Sequence, residues 1–500
     1  MNPLASSKCA RRLLMVLAAM TGILLTVGCG SSGSPVPVKG GFSNASLKGS
    51  YAFTVKGYGL NNGTNAAANF FVEGGVFTAD GNGNITAGTD DFVEAVGSTT
   101  QAFTGNAVTG IYKINSDGTG DLQFNFTAGG FEVFRITLSD TGHLYMEEED
   151  GNGTSAGTAE LQSSTAIPSG TFVFRTHDVQ VSATMGAMAI SAGAVSGSYV
   201  MVQNGTPVTG SIGAGGSMTA PTGGRGTISY TVNGLTHQAE YYVVSSSKFL
   251  LLDTTTNILS VGLAEQQSNV TFSAASLSGS YAFGSSGETI TPGFVNTVGV
   301  FTTDGAVNVT AANYDSVQDG SVSSDVTTTG TYSINSDGSG SFILGGLTRD
   351  IWMVSPSRAY SIALNGTNVE DGTIDQQSGT FTNTSLSTQA AFFMDGFDAT
   401  GVDVLFKDRV GTLVPSGTSS LGTNYVASFF DPNSNVLVGG SNPNAFSGTY
   451  SVASNGRTTT QLNGFTNNIV LYLTTNSTGY VLQADTGINM SGAFRAQTQP

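Results

Sequence analysis

The stretch Leu47-Lys48-Gly49-Ser50-Tyr51-Ala52-Phe53 decides the fold, because a near copy of it returns in the second half of the chain. It returns as LSGSYAF at 277–283, and two further blocks return with it in the same order. These blocks are GVFTADG at 75–81, which returns as GVFTTDG at 299–305, and GIYKINSDG at 110–118, which returns as GTYSINSDG at 330–338. Three blocks in one order and at similar spacing predict an internal structural repeat.

Weaker copies lie between and after these two, so the sequence predicts four modules. The weaker copies open at 169–174 and 389–393. Each module closes with a hydrophobic hairpin and then a glutamine: Gln162, Gln266 or Gln267, Gln376 or Gln377, and Gln497. The predicted modules are residues 43–165, 166–270, 271–380 and 381–500. The first and third modules are the most alike, which indicates that a two-module unit was duplicated.

Each module is predicted to be all-β. Tyr51, Phe53 and Val55 alternate with small or polar residues, and Asp-Gly pairs such as Asp80-Gly81 suit tight hairpin turns. For the first module we predict eight strands, near 50–58, 69–79, 84–96, 102–114, 120–127, 131–138, 143–149 and 155–162. Because the connections are short, we expect an antiparallel up-and-down barrel of the lipocalin-like or avidin-like kind. An immunoglobulin-like sandwich of about seven strands is the alternative.

The first 28 residues are typical of a bacterial lipoprotein signal peptide. Three basic residues precede a mostly apolar run at 13–27, which is too short for a confident membrane span. Gly28 then stands before Cys29. In bacterial lipoproteins a small residue precedes the cysteine that becomes the lipidated N-terminus. The sequence therefore predicts signal peptide 1–28 and lipidation of Cys29.

The residues that follow the cysteine predict how the protein is held. Residues 29–42 are rich in Gly, Ser and Pro and are expected to form a flexible tether. Gly30, rather than Asp, resembles the residue found in lipoproteins that are passed to the outer membrane. We therefore expect a lipid-anchored protein of the cell envelope, held at the outer membrane.

The composition excludes several classes of function. The chain has 34 acidic and 17 basic residues, a net charge of −17, and only 10% charged residues. Phosphate binding needs clustered Lys and Arg, so a nucleic acid partner is not expected. The two cysteines are Cys9, inside the signal peptide, and Cys29. We therefore expect no disulfide, no cysteine metal ligand and no cofactor in the mature protein.

The repeated blocks resemble repeats of a known group of proteins. LxGSYAF, GVFTADGNGNIT and TGTYSINSDGSG resemble repeats in secreted lipoproteins of soil-type Gram-negative bacteria, notably acidobacteria. The resemblance covers the first and third modules well and the second and fourth loosely. That family has no established activity, so the resemblance implies location and repeat structure and carries over no functional residue.

Two motifs associated with chemistry elsewhere are better explained as structure. Gly153-Thr154-Ser155-Ala156-Gly157 matches the nucleophile pattern G-x-S-x-G, but the strand–turn–helix context is missing, so we interpret it as a strand. Asp80-Gly81-Asn82-Gly83-Asn84 spaces oxygen ligands as calcium loops do. Its copy at 304–308 loses the middle ligand, so we expect a tight β-turn at both places.

The remaining titratable residues predict neither a metal site nor a catalytic site. Glu147-Glu148-Glu149-Asp150 is interpreted as a solvated strand edge that discourages pairing with another chain. His143, His177 and His237 do not recur between modules and show no ligand spacing. We therefore expect neither a metal site nor a catalytic role for the histidines.

The sequence favours a structural or binding role over catalysis. The repeated residues are Gly, Tyr, Phe and turn Asp, which serve a scaffold. We expect an adhesion or ligand-presenting protein that contacts the membrane through its lipid and binds an extracellular protein, a polysaccharide or a small apolar ligand. A barrel that carries a small apolar ligand is the alternative, and a hydrolase of extracellular polymers is less favoured. Against the carrier stands the expectation that Tyr51 and Phe53 fill a solid barrel interior.

Overall fold

The computed structural model describes a β-protein whose described residues also contain three short 3₁₀ turns, Asn44–Ser46, Ala274–Ser276 and Asn383–Ser385. The described residues are 40–59, 69–149, 153–179, 181–290, 293–364, 366–398, 405–431, 436–438, 444–463 and 469–499. The predicted signal peptide, Cys29 and most of the predicted tether lie outside these residues.

The first barrel contains eight antiparallel strands in chain order. They are β1 (Lys48–Gly59), β2 (Asn69–Asp80), β3 (Asn84–Val96), β4 (Thr99–Ile114), β5 (Thr119–Phe126), β6 (Phe131–Asp140), β7 (His143–Glu148) and β8 (Gly153–Leu161). β1 pairs with β8, with Phe53 opposite Ala159, and this pairing closes the sheet. Every predicted strand overlaps an observed one. The up-and-down barrel is therefore confirmed, and the sandwich is not the fold.

The second and third modules are closed barrels of the same kind. The second contains β9 (Gly170–Asp178), β10 (Ser182–Ser191), β11 (Ala194–Gln203), β12 (Thr206–Met218), β13 (Arg225–Val232), β14 (Leu235–Ser245), β15 (Lys248–Asp253) and β16 (Ser260–Gln266). The third contains β17 (Ser278–Thr289), β18 (Gly293–Asp304), β19 (Asn308–Gln318), β20 (Ser321–Ile334), β21 (Ser339–Leu344), β22 (Leu347–Ser355), β23 (Arg358–Ala363) and β24 (Asn368–Gln376). In each barrel the last strand pairs with the first.

The fourth barrel carries one additional short strand. Its strands are β25 (Ala390–Asp398), β26 (Leu405–Pro415), β27 (Ser420–Asp431), β28 (Val436–Val438), β29 (Asn444–Val452), β30 (Arg457–Leu462), β31 (Ile469–Thr475), β32 (Thr478–Asp485) and β33 (Ile488–Ala496). β25 pairs with both β26 and β33, and the β26–β27 pairing closes eight strands into a barrel. β28 extends β27 outside that circle.

The interior of the first barrel is filled by the inward-facing residues of its strands. Tyr51 and Phe53 are fully buried there, as the alternation predicts. The ring centroid of Phe53 lies 6.1 Å from that of Phe77 and 5.5 Å from that of Phe124. Aromatic side chains in such contact fill the cross-section of a small barrel, so this lumen is a hydrophobic core.

The four barrels form a closed ring, because each packs its outer face on the next and the fourth packs on the first. Apolar clusters occupy all four interfaces. The clusters include Val72 and Tyr242 (first and second barrels), Val173 and Trp352 (second and third), Val300 and Tyr472 (third and fourth), and Val410 and Tyr145 (fourth and first). Linkers 162–169, 267–277 and 377–389 join three of the neighbouring pairs, whereas no linker spans the interface between the fourth and first barrels.

One glutamine at the end of each module bridges to the neighbouring barrel. Gln162 donates its side-chain amide to the carbonyl oxygen of Val243 at 2.7 Å. Gln267 bonds Met353, Gln377 bonds Leu473 and Gln497 bonds Leu138 in the same way, at 2.8, 2.7 and 2.7 Å. We call these four residues the clasp glutamines. They lie at the end of the ring that also holds the linkers, which we call the clasp end.

Candidate functional site

A cavity of about 670 Å³ lies at the centre of the ring. Its walls include the first and last strands of all four barrels, and it is therefore built only when the ring closes. Each last strand places a glycine against the first strand: Gly157, Gly262, Gly372 and Gly492. A Cβ atom at these positions would lie only 1.9 to 2.3 Å from a carbonyl oxygen of the first strand. Glycine is therefore required for the close approach of these strands.

At the clasp end of the cavity, ion pairs cross three of the four interfaces, and a hydrogen bond of 2.7 Å from Tyr480 to Asp375 crosses the interface between the third and fourth barrels. Two residues before each clasp glutamine stand four charged residues, Glu160, Glu265, Asp375 and Arg495. Lys248 of the second barrel pairs with Glu160 at 2.7 Å, and Arg358 of the third pairs with Glu265 at 3.1 Å. At the interface between the fourth and first barrels the signs are reversed, and Arg495 pairs with Asp140 at 3.3 Å. Each of these pairs joins two neighbouring barrels.

A buried charge cluster lies deeper in the cavity, between the second and third barrels. His177 contacts Asp371 through Nδ1 at 2.6 Å and Glu288 through Nε2 at 2.9 Å, and Arg175 also pairs with Asp371. Burial alone lowers the pKa of His177, but Glu288 and Asp371 together raise it to about 10. Burial likewise opposes ionisation of Asp371, but Arg175 and His177 hold its pKa well below the usual range. His177 is therefore a charged link between two barrels at neutral pH.

A second cluster joins the first and fourth barrels. Lys56 on β1 places Nζ 3.0 Å from Oδ2 of Asp395 on β25. Asp408 on β26 stands opposite Asp395 in the strand register and accepts a hydrogen bond from the hydroxyl of Thr154 on β8. Burial raises the pKa of Asp408 to about 8, and the negative charge of Asp395 adds to this effect. Asp408 is therefore predominantly neutral at pH 7.

Aromatic side chains close the cavity at the end opposite the clasp glutamines. Tyr58 stacks on Phe406 with ring centroids 3.5 Å apart, and Phe294 stacks on Phe397 with centroids 3.2 Å apart. The four rings come from the first, third and fourth barrels and lie beside Lys56. They form an apolar wall at this end, beside a small cavity of about 30 Å³, whereas the clasp end carries the more exposed side chains.

The cavity is lined by basic and acidic side chains that form ion pairs with one another or with neighbouring residues. In three of these pairs the arginine is more exposed than its acidic partner: Arg175 27% against Asp371 3%, Arg358 40% against Glu265 14%, and Arg495 48% against Asp140 25%. The arginines are therefore the more accessible members of these pairs, in a chain whose net charge is −17.

Two of the predicted structural interpretations are confirmed. Gly153–Leu161 is strand β8, with Ser155 fully buried, so the G-x-S-x-G match is part of a barrel wall. At the turn before β3, Asp80 accepts the backbone N–H groups of Asn82 and Asn84 at 2.6 and 3.0 Å. The side-chain amide of Asn84, which donates to Asp80 at 2.7 Å, and these backbone bonds lower the pKa of Asp80 to about 2.

The interpretation of the acidic stretch at 147–150 as a solvated edge is wrong. Glu147 and Glu148 are fully buried, and Asp150 lies outside the described residues. The physical reason is that β7 has the barrel core on one side and packs on β25 and β26 of the fourth barrel. A strand that looks like an exposed edge within one module is thus an interface strand in the ring.

The three histidines lie in separate environments. His143 is at the clasp end of the cavity, where burial lowers its pKa to about 4, so it is neutral at pH 7. His237 pairs with Asp253 within the second barrel at 2.5 Å. His177 alone bridges barrels. Among the described residues no group of three or more His, Cys, Asp or Glu side chains is placed to hold a metal ion.

Comparisons with known proteins give no further assignment. No family model matches the chain, and no curated protein is similar to it. Over the described residues, no helix is sufficiently long and apolar to cross a membrane. The fold and the cavity are therefore the basis on which a function is proposed.

Proposed function

We propose that the protein is a lipid-anchored binding protein of the cell envelope that takes a small anionic ligand into the cavity at the centre of its ring. The exposure of the arginines carries this proposal: Arg175, Arg358 and Arg495 line the cavity, and each is more exposed than the carboxylate with which it pairs. Guanidinium groups bind carboxylate, sulfate and phosphate oxygens in paired, charge-assisted hydrogen bonds. The ligand class is therefore a small molecule that carries such an oxyanion.

The size of the cavity supports a small-molecule ligand. About 670 Å³ lies within the range of roughly 300–1,000 Å³ that small-molecule sites occupy. The first barrel is filled by its own side chains, and in the fourth barrel a cavity of about 30 Å³ lies between Phe392, Arg409 and Tyr425, far smaller than the central one. Carriage of an apolar ligand inside a barrel therefore has little structural support.

The proposed anchor is compatible with access to the cavity. Gly41 donates its N–H to the carbonyl oxygen of Ser116 at 2.9 Å, which places the chain leaving the tether at the clasp end. Arg358 and Arg495 lie at the same end. Phe42, the last residue of the predicted tether, is buried in the first barrel, so the free length is that of residues 29–40, about 40 Å when extended at roughly 3.3 Å per residue. Such a length leaves room for a small ligand to enter between the ring and the outer membrane.

Calorimetric titration with citrate, sulfate and inorganic phosphate in low-salt buffer tests the binding proposal. We expect saturable binding of at least one of these probes, weakening as salt is added. The double variant Arg358→Gln/Arg495→Gln should weaken it at least about tenfold, the effect of losing roughly 1.4 kcal/mol. Arg135→Gln is the matched control, because Arg135 pairs with Glu149 on the first barrel, away from the cavity. Equal affinity in the double variant and the parent contradicts the proposal, as does the lack of saturable binding of all three probes.

A further inference from the structure

We infer that the interface between the fourth and first barrels is a modification site, where Lys56 and Asp395 condense to an amide that closes the ring covalently. The distance between Nζ of Lys56 and Oδ2 of Asp395 is 3.0 Å, an ion-pair contact that holds the amine beside the carboxyl group with which it would react. The two residues lie on β1 and β25, the first strands of barrels that no linker joins. A bond between them would therefore add the covalent connection that the chain itself lacks.

A third residue can supply the acid catalysis that amide formation requires. Asp408 stands opposite Asp395 on the neighbouring strand, and it lines the same small space as Lys56. Its raised pKa keeps its carboxyl group protonated at neutral pH. A neutral acid beside the reacting carboxyl can protonate the departing oxygen, which is the role of a general acid.

The reaction balances without any further reagent. The ion pair first passes one proton from the Lys56 ammonium to the Asp395 carboxylate, giving an amine and a carboxylic acid. The amine nitrogen attacks Cγ of Asp395, the C–N bond forms, and one C–O bond breaks. The oxygen leaves as water with a proton from Asp408, and Asp408 regains a proton from the nitrogen. The products are one secondary amide and one water molecule.

The residues around Lys56 and Asp395 determine the rate of the proton transfer between them. Burial lowers the pKa of Lys56, but Asp395 and Glu288 raise it above its usual value, so the ion pair is the starting state. The rings of Tyr58 and Phe397 lie on one side of the pair, and its other side faces the central cavity, where Lys56 is 32% and Asp395 20% exposed. The charged pair must therefore exchange a proton before the neutral amine can attack. We therefore expect slow condensation after folding rather than an immediate reaction.

The mass of the purified full chain is the test, since it requires no variant to fold. Condensation removes one water, a loss of about 18 Da. After digestion with trypsin, the peptide 49–113, uncleaved at Lys56, should be joined to the peptide 359–407, which contains Asp395. The inference is overturned if the intact chain shows no loss of water and the digest contains one free peptide that ends at Lys56 and another that begins at Gly57.

Three variants separate the reaction from folding. Lys56→Arg keeps the positive charge and should abolish the joined peptide. Asp408→Asn should slow its formation by about a hundredfold, a usual effect of removing a general acid. Lys407→Arg is the matched control, because Lys407 forms a cross-strand ion pair with Asp398 on the same hairpin, and it should leave the joined peptide unchanged. A joined peptide that forms equally fast in Asp408→Asn contradicts the role given to Asp408.

Discussion

The side-chain amide of Gln497 donates a hydrogen bond of 2.7 Å to the carbonyl oxygen of Leu138, which joins the end of the last strand to the first barrel. The same amide bonds the carbonyl oxygen of Asp117 at 2.9 Å. Three other clasp glutamines make the equivalent contact across interfaces that a linker also spans. Gln497 has no such covalent support, so ring closure depends on side-chain contacts there.

We therefore predict that Gln497→Ala destabilises ring closure. The change removes the buried hydrogen bond to Leu138, at a cost of about 1–3 kcal/mol, whereas Asp117 still accepts a bond from Gln389. Thermal melting should show a lowered melting temperature relative to the parent. Gln266→Ala is the control, because Gln266 is an exposed neighbour of a clasp glutamine with a single long hydrogen bond to Ser169. Equal melting temperatures for Gln497→Ala and the parent would show that the clasp contributes nothing.

The packed lumen gives a second prediction. Phe53→Ala removes a ring that is fully buried between Phe77 and Phe124 in the first barrel. Truncation of a core aromatic costs about 3–5 kcal/mol, so the variant should melt well below the parent. Ile111→Ala is the control, since Ile111 is 55% exposed and should change the melting temperature little. A near-unchanged melt for Phe53→Ala is the result that contradicts a solid core.

The buried histidine predicts how stability depends on pH. His177 has its pKa raised to about 10 in the folded protein, against 6.5 for the free side chain. Between these values the folded protein keeps a proton that the unfolded chain releases, so stability falls as pH rises from 6.5 to 10. The contribution is on the order of 5 kcal/mol and is fully present below pH 6.5.

Melting curves across this pH range test the histidine. His177→Gln should flatten the dependence between pH 6.5 and 10. Asp408, with its pKa raised from 3.8 to about 8, also makes stability fall with rising pH, but over the lower window. Asp408→Asn should therefore flatten the dependence of the melting temperature on pH below pH 8 and leave this dependence unchanged above pH 8. An unaltered profile in His177→Gln would refute the assignment of the upper window to His177.

The sequence predicted the barrels, because every signal needed lies within one module. Alternation around Phe53 and turns such as Asp80-Gly81 depend only on neighbouring residues. The ring could not be predicted in this way, because its contacts join residues far apart in the chain, as in the ion pair of Lys56 with Asp395. The repeated closing glutamines were visible in the sequence. Their role was not, because the carbonyl groups that they bind carry no sequence signature.

The central cavity could not be predicted from the sequence for a related reason. Its arginines do not recur from module to module: Arg175, Arg358 and Arg495 lie on different strands of three barrels. A search for repeated polar residues therefore finds none of them. The one usable signal was the charged residue two positions before each clasp glutamine, such as Glu265, which marks the strand that lines the cavity.

The proposed anchor gives a prediction about location. Cys29→Ser removes the predicted lipid acceptor, so the protein should move from the detergent phase to the aqueous phase in a phase-partition experiment. Cys9→Ser is the matched control, because Cys9 is the other cysteine of the chain and lies in the predicted signal peptide. That variant should stay in the detergent phase. Retention of Cys29→Ser in the detergent phase would exclude lipidation at this residue as the anchor.

The last prediction concerns two interfaces that the structure makes equivalent. Asp91 of the first barrel accepts bonds from Nε and Nη2 of Arg225, both at 2.7 Å, and from the hydroxyl of Tyr242 at 2.8 Å. In the third and fourth barrels, Asp315 accepts the corresponding bonds from Arg457, both at 2.8 Å, and from Tyr472 at 2.5 Å. This correspondence of the first barrel pair with the second supports duplication of a two-module unit.

Asp91→Ala and Asp315→Ala should therefore destabilise the protein by similar amounts. Each change leaves a partly buried arginine without its carboxylate, at a cost of about 3–5 kcal/mol. The double variant Asp91→Ala/Arg225→Leu should recover part of the loss, because it removes the uncompensated charge as well. Asp121→Ala is the control: Asp121 is 44% exposed beside Arg135, and loss of such a surface pair costs about 1 kcal/mol or less. Denaturant unfolding measures all four variants, and a loss at Asp91 without a comparable loss at Asp315 would show that the two interfaces are not energetically equivalent.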